Sequence, residues 1–354
     1  MKNLDKYLSL LGSGVDGLLL TSRYARYYGA EHDIAEGVAL VTKSGCCYYT
    51  DCRYIEDAEN GIRGFTVKMV DRENTYTKLL NEDIAAFGVS NLGYEEAYLT
   101  VAELREYEQY LNATLVPMHD KISGFRAVKE EWELDLMRKA QAIADQAFSE
   151  ILGRIKVGMT EKQLQAELIY CLYKNGGEGL SFDPIVVSGP NTSLPHGVAG
   201  DRVIQEGDFI TLDFGVLYKG YCSDMTRTVA VAYATEEMKK VYDTVLQAQL
   251  AGIATTKAGV TGKAVDAAAR QVIEDAGYGQ YFGHGYGHSL GLEVHENPNC
   301  NPRGEETMLE NMICSAEPGI YLPGKFGVRI EDVVIFKADG CENITKSPKN
   351  LIIV

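Results

Sequence analysis

The chain has 354 residues, more than one ordinary domain needs, and 45% of them are hydrophobic, enough for a full globular core. Its formal charge of −16, with no lysine–arginine cluster, argues against a nucleic-acid footprint and suits a protein that gathers cations at an acidic cleft. No apolar run approaches the roughly 20 residues that span a bilayer. The N-terminal MKNLDKYLSLLGSGVDGLLL also lacks an apolar h-region. The expectation is a cytoplasmic protein with no membrane partner, whose eight scattered cysteines, none in a CxxC pair, are reduced thiols.

Residues 1–122 alternate strand and helix signals. Gly17-Leu18-Leu19-Leu20 and Gly37-Val38-Ala39-Leu40-Val41 are short apolar runs of the kind found in buried strands. Cys47-Tyr48-Tyr49-Thr50, after the Lys43-Ser44-Gly45 turn, suggests a hairpin, and a second α/β unit runs from Gly64 to Val116. His32 and His119 stand alone here, with no catalytic constellation around them.

Residues 123–130 read as a linker, and 131–354 as a second domain. Leu134, Met137, Ile143, Ala144, Ala147 and Ile151 fall near a 3.6-residue period, which predicts a helix over 131–153. Thr160 and Gln163 form a capping-box pattern for the next helix. Lys156-Val157-Gly158-Met159-Thr160-Glu161-Lys162 matches Lys257-Ala258-Gly259-Val260-Thr261-Gly262-Lys263, each copy lying between two helical patterns. This repeat predicts two related halves, each with two helices and antiparallel strands, and a site in the cleft between them.

Two hairpins carry paired acids. Ile210-Thr211-Leu212-Asp213-Phe214-Gly215 alternates like a strand, and Tyr221–Val229 returns it, bringing Asp213 and Asp224 almost opposite on one face. Ile313–Glu317 and Gly327–Glu331 repeat the arrangement with Glu317 and Glu331, and Arg329 shares the face of Glu331. One strand carboxylate is usually a solvated side chain. Two adjacent buried ones repel unless a cation lies between them.

Three histidines crowd into Gly283-His284-Gly285-Tyr286-Gly287-His288-Ser289-Leu290-Gly291-Leu292-Glu293-Val294-His295-Glu296, and His196 precedes them. The glycine spacing lacks the strand and capped helix of a dinucleotide loop. Mixed carboxylate and imidazole donors suit a hydrolytic metal site, and the absence of a thiolate set excludes a structural Cys-type zinc site.

In their order, LDFG (212–215), GYCSDMTRTV (220–229), GHGYGHSLGLEVHE (283–296), AEPGIY (316–321) and GVRIED (327–332) resemble the pita-bread metallopeptidases, in the aminopeptidase P and prolidase branch. Residues 1–122 resemble that branch's creatinase-like domain more loosely. The resemblance implies an α+β protein: a pita-bread domain of two pseudo-twofold halves with a curved antiparallel sheet, behind a smaller N-terminal α/β domain. It implies two divalent ions, Mn2+ first with Co2+ or Zn2+ also compatible, held by Asp213, Asp224, His288, Glu317 and Glu331. Glu317 would shuttle the proton of the attacking water. His284 or His295 would donate to the carbonyl oxygen or leaving nitrogen, His196 would close over proline, and Arg329 would orient the ligands. The implied reaction is hydrolysis of Xaa-Pro bonds in peptides with proline second, by a homodimer. A prolidase restricted to dipeptides is the nearest alternative, and a non-catalytic peptide-binding protein is the alternative from another class. Retention of all five ligands speaks against a metal-free creatinase. His284 together with an N-terminal domain speaks against a methionine aminopeptidase.

Overall fold

The computed structural model describes residues 2–12 and 14–354; Met1 and Ser13 lie outside that description. The chain forms two compact units, Met1–Arg126 and Ala127–Val354.

The first unit is built on a six-stranded mixed sheet. Its strands Gly17–Leu20 and Val38–Thr42 are buried throughout, which their unbroken apolar runs require. Val38–Thr42 and Cys46–Asp51 form the hairpin expected at Lys43–Gly45. The outer strands Thr66–Val70 and Thr114–Pro117 add in parallel, each following a helix. His32 sits 3.1 Å from Asp57, and His119 meets the Tyr98 ring edge-on.

In the second unit each half has its own core. Helices Glu131–Leu152 and Glu161–Lys174 pack Ala144, Ile151, Leu164 and Leu168, all fully buried, onto strands Ile185–Ser188, Phe209–Phe214 and Met225–Ala230. Helices Glu236–Thr255 and Gly262–Asp275 pack Val245, Val265 and Ile273 onto Ile313–Ala316, Asp332–Lys337 and Gly340–Asn343. Each of these leucine, isoleucine and valine side chains contributes about 1.5–3 kcal/mol by leaving water.

The repeated segment does the same local work in both halves. Gly158 and Gly259 take φ of 95° and 88°, a left-handed turn that disfavours side-chain-bearing residues. Thr160 and Thr261 then cap the next helices by accepting from Gln163 N and Ala264 N. The halves meet where Glu331 N donates to Thr226 O at 3.0 Å, and the C-terminus returns to the first half through Ala230 N to Ile352 O at 2.9 Å. Among the described residues no helix is long and apolar enough to cross a membrane, and all eight cysteines are unpaired thiols.

Candidate metal centre

The first acid pair comes from strand Phe209–Phe214 and the residues before Met225–Ala230. The chain turns at Lys219–Gly220, one residue later than the turn at Tyr218 that the sequence suggests. Asp213 therefore faces Thr226, and Asp224 lies two residues away on the diagonal, on the same face because side chains alternate. In the second pair, Ala316 faces Asp332 and Gly319 faces Arg329, a common register that sets Glu317 directly opposite Glu331.

These four acids, His288, His196, His284, His295 and Arg329 all line one cavity of about 610 Å³ in the second unit. One oxygen or nitrogen from each of Asp224, His288 and Glu331 falls within 4.8 Å of the others, close enough for a shared ion. His288 Nε2 is 3.6 Å from Asp224 Oδ2 and 3.3 Å from Glu317 Oε1. His288 Nδ1 faces the Ser289 carbonyl at 3.2 Å. A carbonyl only accepts, so Nδ1 carries the proton and the Nε2 lone pair points at the carboxylates. Asp213 lies outside that three-residue group, and its Oδ2 takes Arg329 Nη2 at 2.6 Å.

The donor set fits divalent cations. Asp213 Oδ1 and Asp224 Oδ1 are buried with no hydrogen-bond partner among the described residues, a condition that ordinarily costs about 1–3 kcal/mol per group. Burial, then the charges of Asp213 and Glu317, push the Asp224 carboxyl well above its usual range. Burial, then Asp224, Glu317 and Asp213, do the same to Glu331. Burial also raises Glu317, against the lowering influence of His284 and Arg329. Burial lowers His288, keeping its imidazole neutral as ligation requires. An oxygen-rich pocket of repelling carboxylates beside one neutral imidazole is what a hard or borderline cation relieves.

Around the acids runs a continuous chain of bonds. Arg329 Nε donates to Thr226 Oγ1 at 3.1 Å, and that hydroxyl donates to Glu331 Oε2 at 2.7 Å. Arg329 Nη1 donates to the Tyr321 hydroxyl at 2.8 Å, which lies 2.9 Å from His284 Nε2. His284 Nδ1 faces the Gly285 carbonyl at 2.9 Å, so both nitrogens of that ring are engaged. Ser315 Oγ donates to Glu317 Oε1 at 3.0 Å and accepts from His288 N at 3.0 Å. His295 and His196 are exposed at the cavity, with the His295 ring edge-on to His288 at 4.4 Å.

Tyr321, Thr226 and Ser315 were not singled out as site residues from the sequence. Thr226 could have been found by parity, being two residues from Asp224 on one strand face. Tyr321 had a subtler signal in Gly319, opposite Arg329. A Cβ on Gly319 would lie 2.5 Å from the Tyr321 hydroxyl, so glycine clears the path between tyrosine and arginine.

Comparison with known proteins identifies this architecture. The model of metallopeptidase family M24 matches residues 135–338, and that of the creatinase/prolidase N-terminal domain matches residues 2–128. The chain belongs to metallopeptidase family M24. This metallopeptidase is therefore a hydrolase of peptide bonds with the two-domain, α+β creatinase-like architecture and a pita-bread catalytic domain. It is 34% identical over 345 residues to an Xaa-Pro dipeptidase of Pyrococcus horikoshii, covering 96% of this chain and 95% of that one. Its structure resembles an Xaa-Pro dipeptidase from Bacillus anthracis (TM-score 0.97, 40% identity, 100% and 99% of the two chains). It also resembles an X-Pro aminopeptidase from Thermotoga maritima (TM-score 0.93, 35% identity, 99% of each chain). As an M24 enzyme the protein uses divalent metal.

Proposed function

We propose that the enzyme cleaves the bond before proline in peptides with proline second, releasing the N-terminal residue, and that it does so with two divalent ions. The supporting observation is the buried carboxylate–imidazole set opening into a cavity where two further histidines, His196 and His295, face the space a substrate would fill. Asp224, His288 and Glu331 would hold one ion together with Glu317, and Asp213 would extend the set to a second through its unpartnered Oδ1. The carboxylate-rich donors suit Mn2+, with Co2+ or Zn2+ also accommodated, and such ions supply an acidified water and a polarised carbonyl.

The chain's own groups supply the rest. Glu317, whose Oε1 takes the Ser315 hydroxyl, keeps Oε2 to receive a proton from the attacking water. His284 is tied at both nitrogens, so His295 is the donor to the carbonyl oxygen or leaving nitrogen. His196 closes the pocket over the proline ring, whose imide nitrogen has no N–H to offer a conventional peptidase. Arg329 holds Asp213 in place.

Restriction to Xaa-Pro dipeptides is the second reading, and the similarity to Xaa-Pro dipeptidases of Pyrococcus horikoshii and Bacillus anthracis favours it. Incubating metal-loaded protein with Xaa-Pro and Xaa-Pro-Yaa peptides separates the two. Cleavage of the tripeptide supports the first reading, and cleavage of the dipeptide alone supports the second. Cleavage of neither leaves a peptide-binding protein and sinks both. Family resemblance also leads us to expect a homodimer, measurable by light scattering.

A further inference from the structure

We propose that Glu161, which lines neither the cavity nor the metal-ligand set, is a positioning residue that holds the His196 segment in its substrate-facing place. The inference rests on the reading of His196 as a substrate-side group. Glu161 is fully buried at the first position of helix Glu161–Lys174. A buried carboxylate ordinarily pairs with a cation. The neighbouring cations are committed elsewhere, Lys162 to Asp201 and Arg202 to Asp208.

Glu161 instead collects neutral donors from one segment. Its Oε1 accepts from Ser188 N at 2.7 Å, Ser188 Oγ at 2.9 Å and Asn191 Nδ2 at 3.0 Å. Its Oε2 accepts from Gly200 N at 2.9 Å. Arg202 Nη1 donates to the Ser188 hydroxyl at 2.6 Å, so the hydroxyl's own proton is the one aimed at Glu161. Only an acceptor-only group at a helix N-terminus suits every one of these contacts; an amide would turn N–H toward one set of donors.

Ser188 and Gly200 bracket the segment that carries His196. Between Leu194 and Gly200 the chain has no helix or strand, and Leu194 and Val198 are 55% and 86% exposed. Its order must therefore come from its fastenings. On the other side Arg329 Nη1 donates to Pro195 O at 3.2 Å and Gly327 N to Thr192 Oγ1 at 2.8 Å. The segment is thus held between Glu161 and the strand that carries Arg329. Removing the Glu161 fastening frees His196 without touching a metal ligand.

The test is Glu161→Gln, with Asn191→Ala as a milder variant should the first fail to fold. Hydrogen exchange over residues 188–200 should quicken about tenfold while residues 209–229 keep the wild-type rate. On Xaa-Pro substrate, KM should rise about tenfold with kcat within about threefold and bound metal unchanged, and adding Glu161→Gln to His196→Ala should raise KM no further. Unchanged exchange in both variants overturns the proposal. So does a fall in kcat with loss of metal, or a KM effect fully additive with His196→Ala. Should the wild-type protein cleave no Xaa-Pro peptide, the functional reading fails by itself, and the exchange measurement still decides the role of Glu161.

Discussion

Tyr321 and His284 are joined by a 2.9 Å hydrogen bond whose direction is set from both ends. Arg329 can only donate to the hydroxyl, and the Gly285 carbonyl can only accept from His284 Nδ1. The hydroxyl proton therefore points to Nε2, and the histidine is held in one neutral tautomer. Burial, its largest influence, lowers the His284 pKa and favours the same state.

Tyr321→Phe removes that link while leaving the ring in place. We expect activity to fall about 10–100-fold, the usual effect of losing a group that orients a metal site's surroundings. The loss should appear in kcat with little change in KM. Steady-state kinetics beside metal analysis checks this, and an unchanged kcat would show the link to be idle.

Asp224→Ala should lose bound metal and activity together, because Asp224 belongs to the three-residue group that converges on one point. Elemental analysis after dialysis, run beside the peptide assay, reads both. A variant that keeps full metal content and full activity would place the centre elsewhere.

Lys129 and Glu296 form an ion pair at 3.0 Å with side chains only 1% and 3% exposed. Glu296 directly follows His295, so the pair ties down the cavity's histidine loop. Lys129→Met removes the cation from a buried carboxylate and should cost about 3–5 kcal/mol, read by urea denaturation. Adding Glu296→Met should recover most of that loss. A cost under about 1 kcal/mol for the single change would mean that the loop is fastened by other contacts.

Asp332 makes acid lability predictable. Burial pushes its carboxyl up, but Arg227 and then Lys349 outweigh burial and hold it below its usual value. The folded pKa is thus depressed, so the unfolded chain binds more protons in this window. The stabilisation is complete above about pH 4 and disappears as pH falls through the lowered value. Asp332→Asn should flatten this part of the acid limb of a stability–pH curve, while lowering stability at neutral pH by leaving Arg227 less compensated. An acid limb of unchanged steepness would rule Asp332 out as its source.

The candidate ligands were legible because strand alternation and turn residues are local. Asp213 announces itself as an acid inside an apolar strand, and Asp224, Glu317 and Glu331 as acids at the ends of such strands, while Thr160 and Thr261 announce helix starts by the company they keep within four residues. Even so, a two-residue displacement in the first hairpin escaped, because the turn at Lys219–Gly220 competes with a nearly equivalent one at Tyr218.

The sequence by itself determined which groups could do chemistry here: acids on or beside strands, imidazoles on a glycine-rich connection, and two helical repeats to carry them. Tertiary structure decided which of those groups are already spoken for. Tyr321 engages His284 across 37 positions, Thr226 reaches Glu331 across 105, and Glu161 holds Ser188 across 27. Such pairs leave no periodic trace, since their partners are chosen by tertiary packing, within one half for Tyr321–His284 and Glu161–Ser188 and between the halves for Thr226–Glu331. Burial then turns each contact into a constraint, because a polar atom out of water must find its partner or bear the full cost of lacking one.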